Sequence, residues 1–269
     1  MPIDKRRIEE SYNLQADDYR GGKAVANLLL RDMQIPRDPV GLDIGCGPGV
    51  TTIALYEKCG LQGKVYGLDI SQRMVDRAIE NGKKLGYDDL IFVKGDAESL
   101  GFPDDMFDVV ISLYAFQFFP DKPKALKEMF RVLKPGGWLG LWSTAGEVFM
   151  KESFQAFRTV QKMHPEFPRL ARVLDEYGEM HITLEEFQDL LGAVGFIDSD
   201  VLGRHRVYYV DPRKYLEENP YPIDWLLAIP KESREPAKRE VLEEMNRLSD
   251  SRGFRLTYYF IQGYARKPA

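Results

Sequence analysis

The stretch VGLDIGCGPGVTT, residues 40–52, decides the fold. An apolar run from Val40 to Ile44, broken by Asp43, leads into glycines at 45, 47 and 49, and Thr51 and Thr52 then open a helical segment. Such a strand turns through its glycines into a helix that starts near Val50. Glycine lets the backbone approach a ligand closely, and a helix start offers unpaired N–H groups. The spacing is GxGxG rather than the GxGxxG of dinucleotide sites, and Pro48 removes one amide donor, so a diphosphate fits poorly. Taken alone, the loop also suits an ordinary tight turn.

Outward from this loop, short apolar runs at 64–69, 90–94, 107–113 and 137–143 alternate with helical spacing. Buried parallel strands read this way. Ser71 is placed to cap a helix carrying Met74, Val75, Ala78, Ile79 and Leu85. A second helix carries Leu126, Met129, Phe130 and Leu133 in one stripe, with Pro135-Gly136 as its stop. Strand and helix in alternation predict an α/β fold, a parallel sheet with helices on both faces, whose ligands bind beyond the carboxyl ends of the strands. Two further carboxylates fall at those ends. Asp69 closes the second strand, where it is placed to accept from ribose hydroxyls, and Asp96 follows the third, where it and the Ala97 amide are placed to meet a base edge. Either aspartate alone also suits a turn or a cap.

The 269 residues are 44% hydrophobic and 12% aromatic, enough for a full core. A net charge of −5 argues against binding phosphate backbones, so no nucleic-acid partner is expected. The two cysteines, Cys46 in the glycine loop and Cys59 at a helix end, provide neither a disulfide framework nor a paired zinc site. Residues 1–10 lack the apolar core of a signal peptide, and no apolar run approaches the roughly 20 residues that span a bilayer. A soluble cytoplasmic protein is expected.

With the segments LDIGCGPG, GLDIS, GDAESLGFPDDMFDVVIS, FQFFPD and RVLKPGG in this order, the chain resembles the class I S-adenosylmethionine-dependent methyltransferases, in the small-molecule branch that includes ubiquinone and menaquinone methyltransferases. The likeness is strong over about residues 5–145. It implies a Rossmann-like, seven-stranded, mostly parallel sheet in the order 3-2-1-4-5-7-6 with the last strand antiparallel, and S-adenosyl-L-methionine as cofactor. It implies that Asp43, Gly45, Cys46, Gly47 and Gly49 surround the methionine part. Asp69 and Ile70 hold the ribose, with Met74 nearby, and Asp96, Ala97 and Glu98 the adenine. Ser112 sits by the methionine amino group, Gln117 beside the acceptor, and Tyr19 closes over the cofactor. Direct displacement at a sulfonium needs alignment more than a strong catalyst. Catalytic candidates are therefore few: Gln117, which orients but takes no proton, His181 and Tyr12. His164, His181 and His205 lack the spacing of metal ligands.

Residues 1–269 are read as one methyltransferase domain, with a cofactor-binding core at 1–145 and helical cap insertions at 146–182 and 211–252 laid over the substrate pocket. Between the insertions, Thr183 and Glu186 have capping-box spacing, and Leu184, Phe187, Leu191 and Val194 are predicted to face the sheet. The mixed-sign run KESREPAKREVLEEMNR, 231–247, reads as a solvated helix face. The expected partner is a small methyl acceptor, for a monomer or homodimer. Two other functions compete: an aminopropyl transferase on the same fold, which needs acceptor-side carboxylates that SLYAFQF lacks, and a cofactor-binding protein without catalysis.

Overall fold

The computed structural model describes residues 5–15, 23–31, 33–59, 63–145, 151–164, 182–218 and 229–269. The segments that position the site are α1 (Lys5–Gln15), β1 (Val40–Ile44), α3 (Val50–Lys58) after α2 (Lys23–Arg31), β2 (Lys64–Asp69), α4 (Gln72–Lys84), β3 (Ile91–Lys94), β4 (Phe107–Leu113), α5 (Lys122–Val132) and β5 (Leu133–Thr144). Then follow α6 (Lys151–Met163), α7 (Leu184–Val194), β6 (Ile197–Val210), α8 (Pro212–Glu218), α9 (Arg234–Arg247) and β7 (Phe254–Arg266). The sheet runs β3-β2-β1-β4-β5-β7-β6, the order implied by the family resemblance. The pairings β2–β3, β1–β2, β1–β4 and β4–β5 are parallel. The chain divides into two compact units: Met1–Ser143 with Thr183–Gly203 and Ile261–Ala269, and Thr144–Ile182 with Arg204–Phe260.

In the first unit, Leu42, Ile44, Val109, Val110 and Ile111 are fully buried, as apolar strands covered on both faces should be. Ser71 caps α4 by accepting from Met74 N–H at 3.1 Å, and Met74, Val75 and Ala78 form its buried stripe. Leu85, predicted on that stripe, instead ends the helix and is exposed. Asp121 caps α5, accepting from Lys124 N–H at 3.0 Å. The α5 stripe is Ala125, Leu126, Met129 and Val132, and Phe130 is only half-buried.

The stop of α5 differs from the prediction. Leu133 already has extended torsions (φ −69°, ψ 137°) and begins β5. The Pro135-Gly136-Gly137 stretch is a bulge inside the strand, because Phe107 pairs with Leu133 but Val109 pairs with Trp138. Gly136 has φ 77°, and a Cβ at Gly137 would lie 2.8 Å from the Lys134 carbonyl oxygen, so the bulge requires both glycines. Helix α7 carries the predicted capping box: Glu186 N–H donates to Thr183 Oγ1 at 3.1 Å and Thr183 N–H to Glu186 Oε2 at 2.8 Å. Phe187 and Leu191 are buried, whereas Leu184, in the first turn, is exposed.

The second unit has a core of its own. Phe157 and Val160 of α6, Tyr215 and Leu216 of α8, and Val241 and Met245 of α9 pack together with Phe254 and Leu256. The α9 sequence is therefore amphipathic, with Ala237, Val241 and Met245 buried at i, i+4 and i+8, and not the wholly solvated face that its charges predict. Glu152 anchors α6 by accepting from Thr257 N–H at 3.0 Å and Thr257 Oγ1 at 2.6 Å.

Replacing Thr183 with alanine removes one half of the capping box while leaving the buried face of α7 intact. The T183A protein is expected to be about 1 kcal/mol less stable, read from its urea midpoint at unchanged m-value.

Candidate active site

The carboxyl ends of β3, β2, β1 and β4 lie side by side, and the groups that follow them form one rim. After β1 the chain makes three left-handed turns at Gly45, Gly47 and Gly49, with φ of 73°, 52° and 85°, before α3 begins. The loop is fixed to β2. Gly45 N–H and Cys46 N–H both donate to the Leu68 carbonyl, at 2.7 and 3.0 Å. Gly47 N–H donates to Asp69 Oδ2 at 2.9 Å, and Ser71 N–H to Asp69 Oδ1 at 2.9 Å. One buried carboxylate thus ties the glycine loop to the start of α4. Burial raises its pKa from the ordinary range, against the pull of the Ser71, Gly47 and Ile70 amides.

Asp43 sits beneath this loop, wholly buried. Its Oδ2 accepts from Thr52 Oγ1 at 2.7 Å, while Oδ1 is buried with no hydrogen-bond partner. Burial pushes its pKa up to about 7, which the Thr52 hydroxyl opposes and the nearby Asp69 charge reinforces. The Cys46 thiol is buried, and burial followed by the two aspartates raises its pKa well above the usual thiol value. It is no nucleophile.

Beyond β3, Lys5 of α1 joins two carboxylates, with Nζ 2.6 Å from both Asp96 Oδ2 and Glu98 Oε2. Glu98 is buried, and its Oε1 accepts from Asp121 N–H at 2.8 Å, which links the rim to the cap of α5. Helix α1 is tied down along its length. Glu9 pairs with Lys94 at 2.5 Å, Ser71 Oγ donates to Asn13 Oδ1 at 2.6 Å, and the Tyr12 ring meets Phe118 edge-on at 5.6 Å. The helix is a strap across the ends of β2 and β3.

Between strap and rim lies a cleft of about 880 Å³, open solvent at its mouth included, of the size that small-molecule sites occupy. Of the residues singled out in the sequence, Gly45, Cys46, Gly47, Asp69, Ile70 and Met74 line it, as do Asp96, Ala97, Glu98 and Tyr12. Four others do not. Asp43 lies under the floor; Gly49 caps α3, its N–H donating to the Cys46 carbonyl. Ser112 is buried with its hydroxyl donating to the Ile44 carbonyl at 2.8 Å, which joins β4 to β1.

Gln117 is likewise absent from the cleft lining. It is buried, its Nε2 donating to the Tyr114 carbonyl at 2.9 Å and its Oε1 accepting from Ser143 Oγ at 3.2 Å, so both ends of the amide are committed to the protein. Tyr19 and His181 lie outside the described residues. Sequence spacing missed Lys5, whose helix carries its charges in its first half, and Tyr114; both line the cleft.

Residues 42–141 match the family described as "Methyltransferase domain". The demethylmenaquinone methyltransferase of Geobacillus stearothermophilus is 32% identical over 182 residues, 64% of this chain and 77% of that one. Its counterpart from Lactococcus lactis is 32% identical over 199 residues, covering 70% and 78% of the two chains. The crystal structure of the YcgJ protein from Bacillus subtilis superposes with a TM-score of 0.64 at 22% identity, over 92% of this chain and 100% of that one, a likeness of fold. This chain therefore belongs to the class I S-adenosylmethionine-dependent methyltransferases, in the small-molecule branch that includes the menaquinone enzymes. It is an enzyme that uses S-adenosylmethionine to methylate a small organic acceptor.

Two outcomes follow from this geometry. A Cβ at Gly45 would overlap the Ala115 Cβ, and φ there is left-handed, so G45A is expected to lose about 2–4 kcal/mol in urea unfolding. Asp43 titrates natively near 7 against 3.8 ordinarily, so the folded state holds a proton that the unfolded chain releases. That contribution is fully present below about pH 4 and is lost as pH rises through 7, by up to about 4 kcal/mol. Urea titrations of D43N across this window should show the fall flattened relative to the parent protein.

Proposed function

We propose that the cofactor lies along the rim with its adenine by Asp96, Ala97 and Glu98, its ribose on Asp69 and Ile70, and its methionine portion over Gly45, Cys46 and Gly47. The observation that carries this placement is the succession of carboxylates at the ends of β3, β2 and β1. Each Asp69 oxygen accepts one backbone N–H and, having two lone pairs, keeps a second for a ribose hydroxyl. When bound, the cofactor supplies a methyl group already activated by its sulfonium. The chain's task is then to align the acceptor and exclude water, effects worth up to about 7–11 kcal/mol. No proton acceptor is assigned to Gln117, whose amide only braces the loop after β4.

For the acceptor we infer a small apolar molecule of the quinol class. The relatives are named demethylmenaquinone methyltransferases, which supports the reduced, nucleophilic form of that quinone as the first candidate, and Ile8, Tyr12, Leu113, Phe118 and Phe119 give the cleft apolar walls. Among the described residues no helix is long and apolar enough to cross a membrane, and the net charge of −5 disfavours nucleic acid.

Incubation with S-adenosylmethionine labelled in its methyl group and with demethylmenaquinol should give labelled product by mass spectrometry. No transfer would overturn the acceptor and leave the cofactor placement standing. D69A should weaken S-adenosylhomocysteine binding by about 1.5–3 kcal/mol in calorimetric titration. The same measurement on K5M should show a loss of no more than about fivefold, because the Lys5–Asp96 pair is one-third exposed on both sides.

A further inference from the structure

Among the described residues, four other than glycine have positive φ: Asp38, Asp105, Tyr114 and Asp198. Aspartate tolerates the left-handed region in turns, but an aromatic residue there is an outlier. Tyr114, at φ 59°, is the first residue after β4 and lines the cleft. Its backbone is held from both sides: its N–H donates to the Trp142 carbonyl at 2.8 Å, and its carbonyl accepts from Gln117 Nε2 at 2.9 Å. Gln117 is itself braced by Ser143 on β5. A strained conformation persists only where its surroundings over-determine it, and such strain gathers at functional sites. Here two buried neighbours hold a strained tyrosine at the wall of a ligand cleft.

Strand order gives Tyr114 its place along the ligand. On the placement proposed above, adenine lies at β3, ribose at β2 and the methionine portion at β1, and β4 is the next strand. The residue beside Tyr114, Ala115, presses on Gly45 so closely that a Cβ there would overlap it. Tyr114 therefore stands beside the methionine portion, the part of the ligand that carries the sulfur. We propose that the Tyr114 ring is the wall that faces the transferable methyl group and distinguishes the cationic donor from the neutral product. An aromatic face attracts a desolvated cation and has no such attraction for a neutral thioether. The strained backbone keeps the ring there, and Gln117 and Ser143 keep the backbone strained.

This inference rests on the cofactor placement, and its test separates the two. Calorimetric titration of the full chain with S-adenosylmethionine and with S-adenosylhomocysteine gives the ratio of the two affinities. Y114F, which keeps the ring, should hold that ratio within about twofold. Y114L should lose about tenfold in affinity for S-adenosylmethionine while its affinity for S-adenosylhomocysteine stays within about threefold. Y114N, whose residue type tolerates the left-handed region, should behave like Y114L and serves if the leucine variant does not fold. Equal losses for both ligands would mean that Tyr114 only shapes the cleft, and no loss for either would mean that it faces elsewhere; either overturns the proposal. Failure of the parent protein to bind both ligands would instead remove the cofactor placement, and the role of Tyr114 with it.

Discussion

The site depends on one carboxylate. Asp69 spends its two oxygens on the amides of Gly47 and Ser71, so the loop after β1 and the start of α4 share a single buried anchor. A charge held at this depth is tolerated because N–H groups converge on it. The same convergence helps hold the glycine loop with its three left-handed residues. Ser71 extends the arrangement outward, for its amide binds Asp69 while its hydroxyl caps α4 and reaches Asn13 of the strap. Floor, helix and strap are joined through two adjacent turns.

The strap has the opposite character. Apart from the Ser71–Asn13 hydrogen bond, its contacts are ion pairs and a ring edge, mostly at partly exposed positions: Lys5 to Asp96 and to the buried Glu98, Glu9 to Lys94, Tyr12 against Phe118. Pairs of this kind contribute little each and weaken with salt. A rigid floor under a weakly held cover suits a site that must admit a cofactor and release its product on every turnover.

Much of this was legible in the residues. β1, β2 and β4 begin and end where their apolar runs do, because a parallel strand buried on both faces has no competing period. The positions of Asp69 and Asp96 at successive strand ends followed from the same pattern. The misplaced start of β5 has a physical cause: Pro-Gly-Gly is chemically a helix stop, and only pairing with β4 turns it into a bulge. Composition also concealed the buried stripe of α9, since three apolar residues among many charges still suffice to seat a helix. Side-chain direction was the least legible property. Asp43, Ser112 and Gln117 stand where the family resemblance puts them along the chain, yet each turns its polar atoms into the protein. Residue type fixes what a group can bond to, while the neighbours that claim it come from other strands.

The near-contact of Gly45 with Ala115 ties two distant positions into one inheritance. Gly45 cannot gain a side chain while Ala115 keeps its Cβ in place, because the two carbons would overlap. The ends of two neighbouring strands, β1 and β4, are thereby coupled across a gap too small for one methyl group.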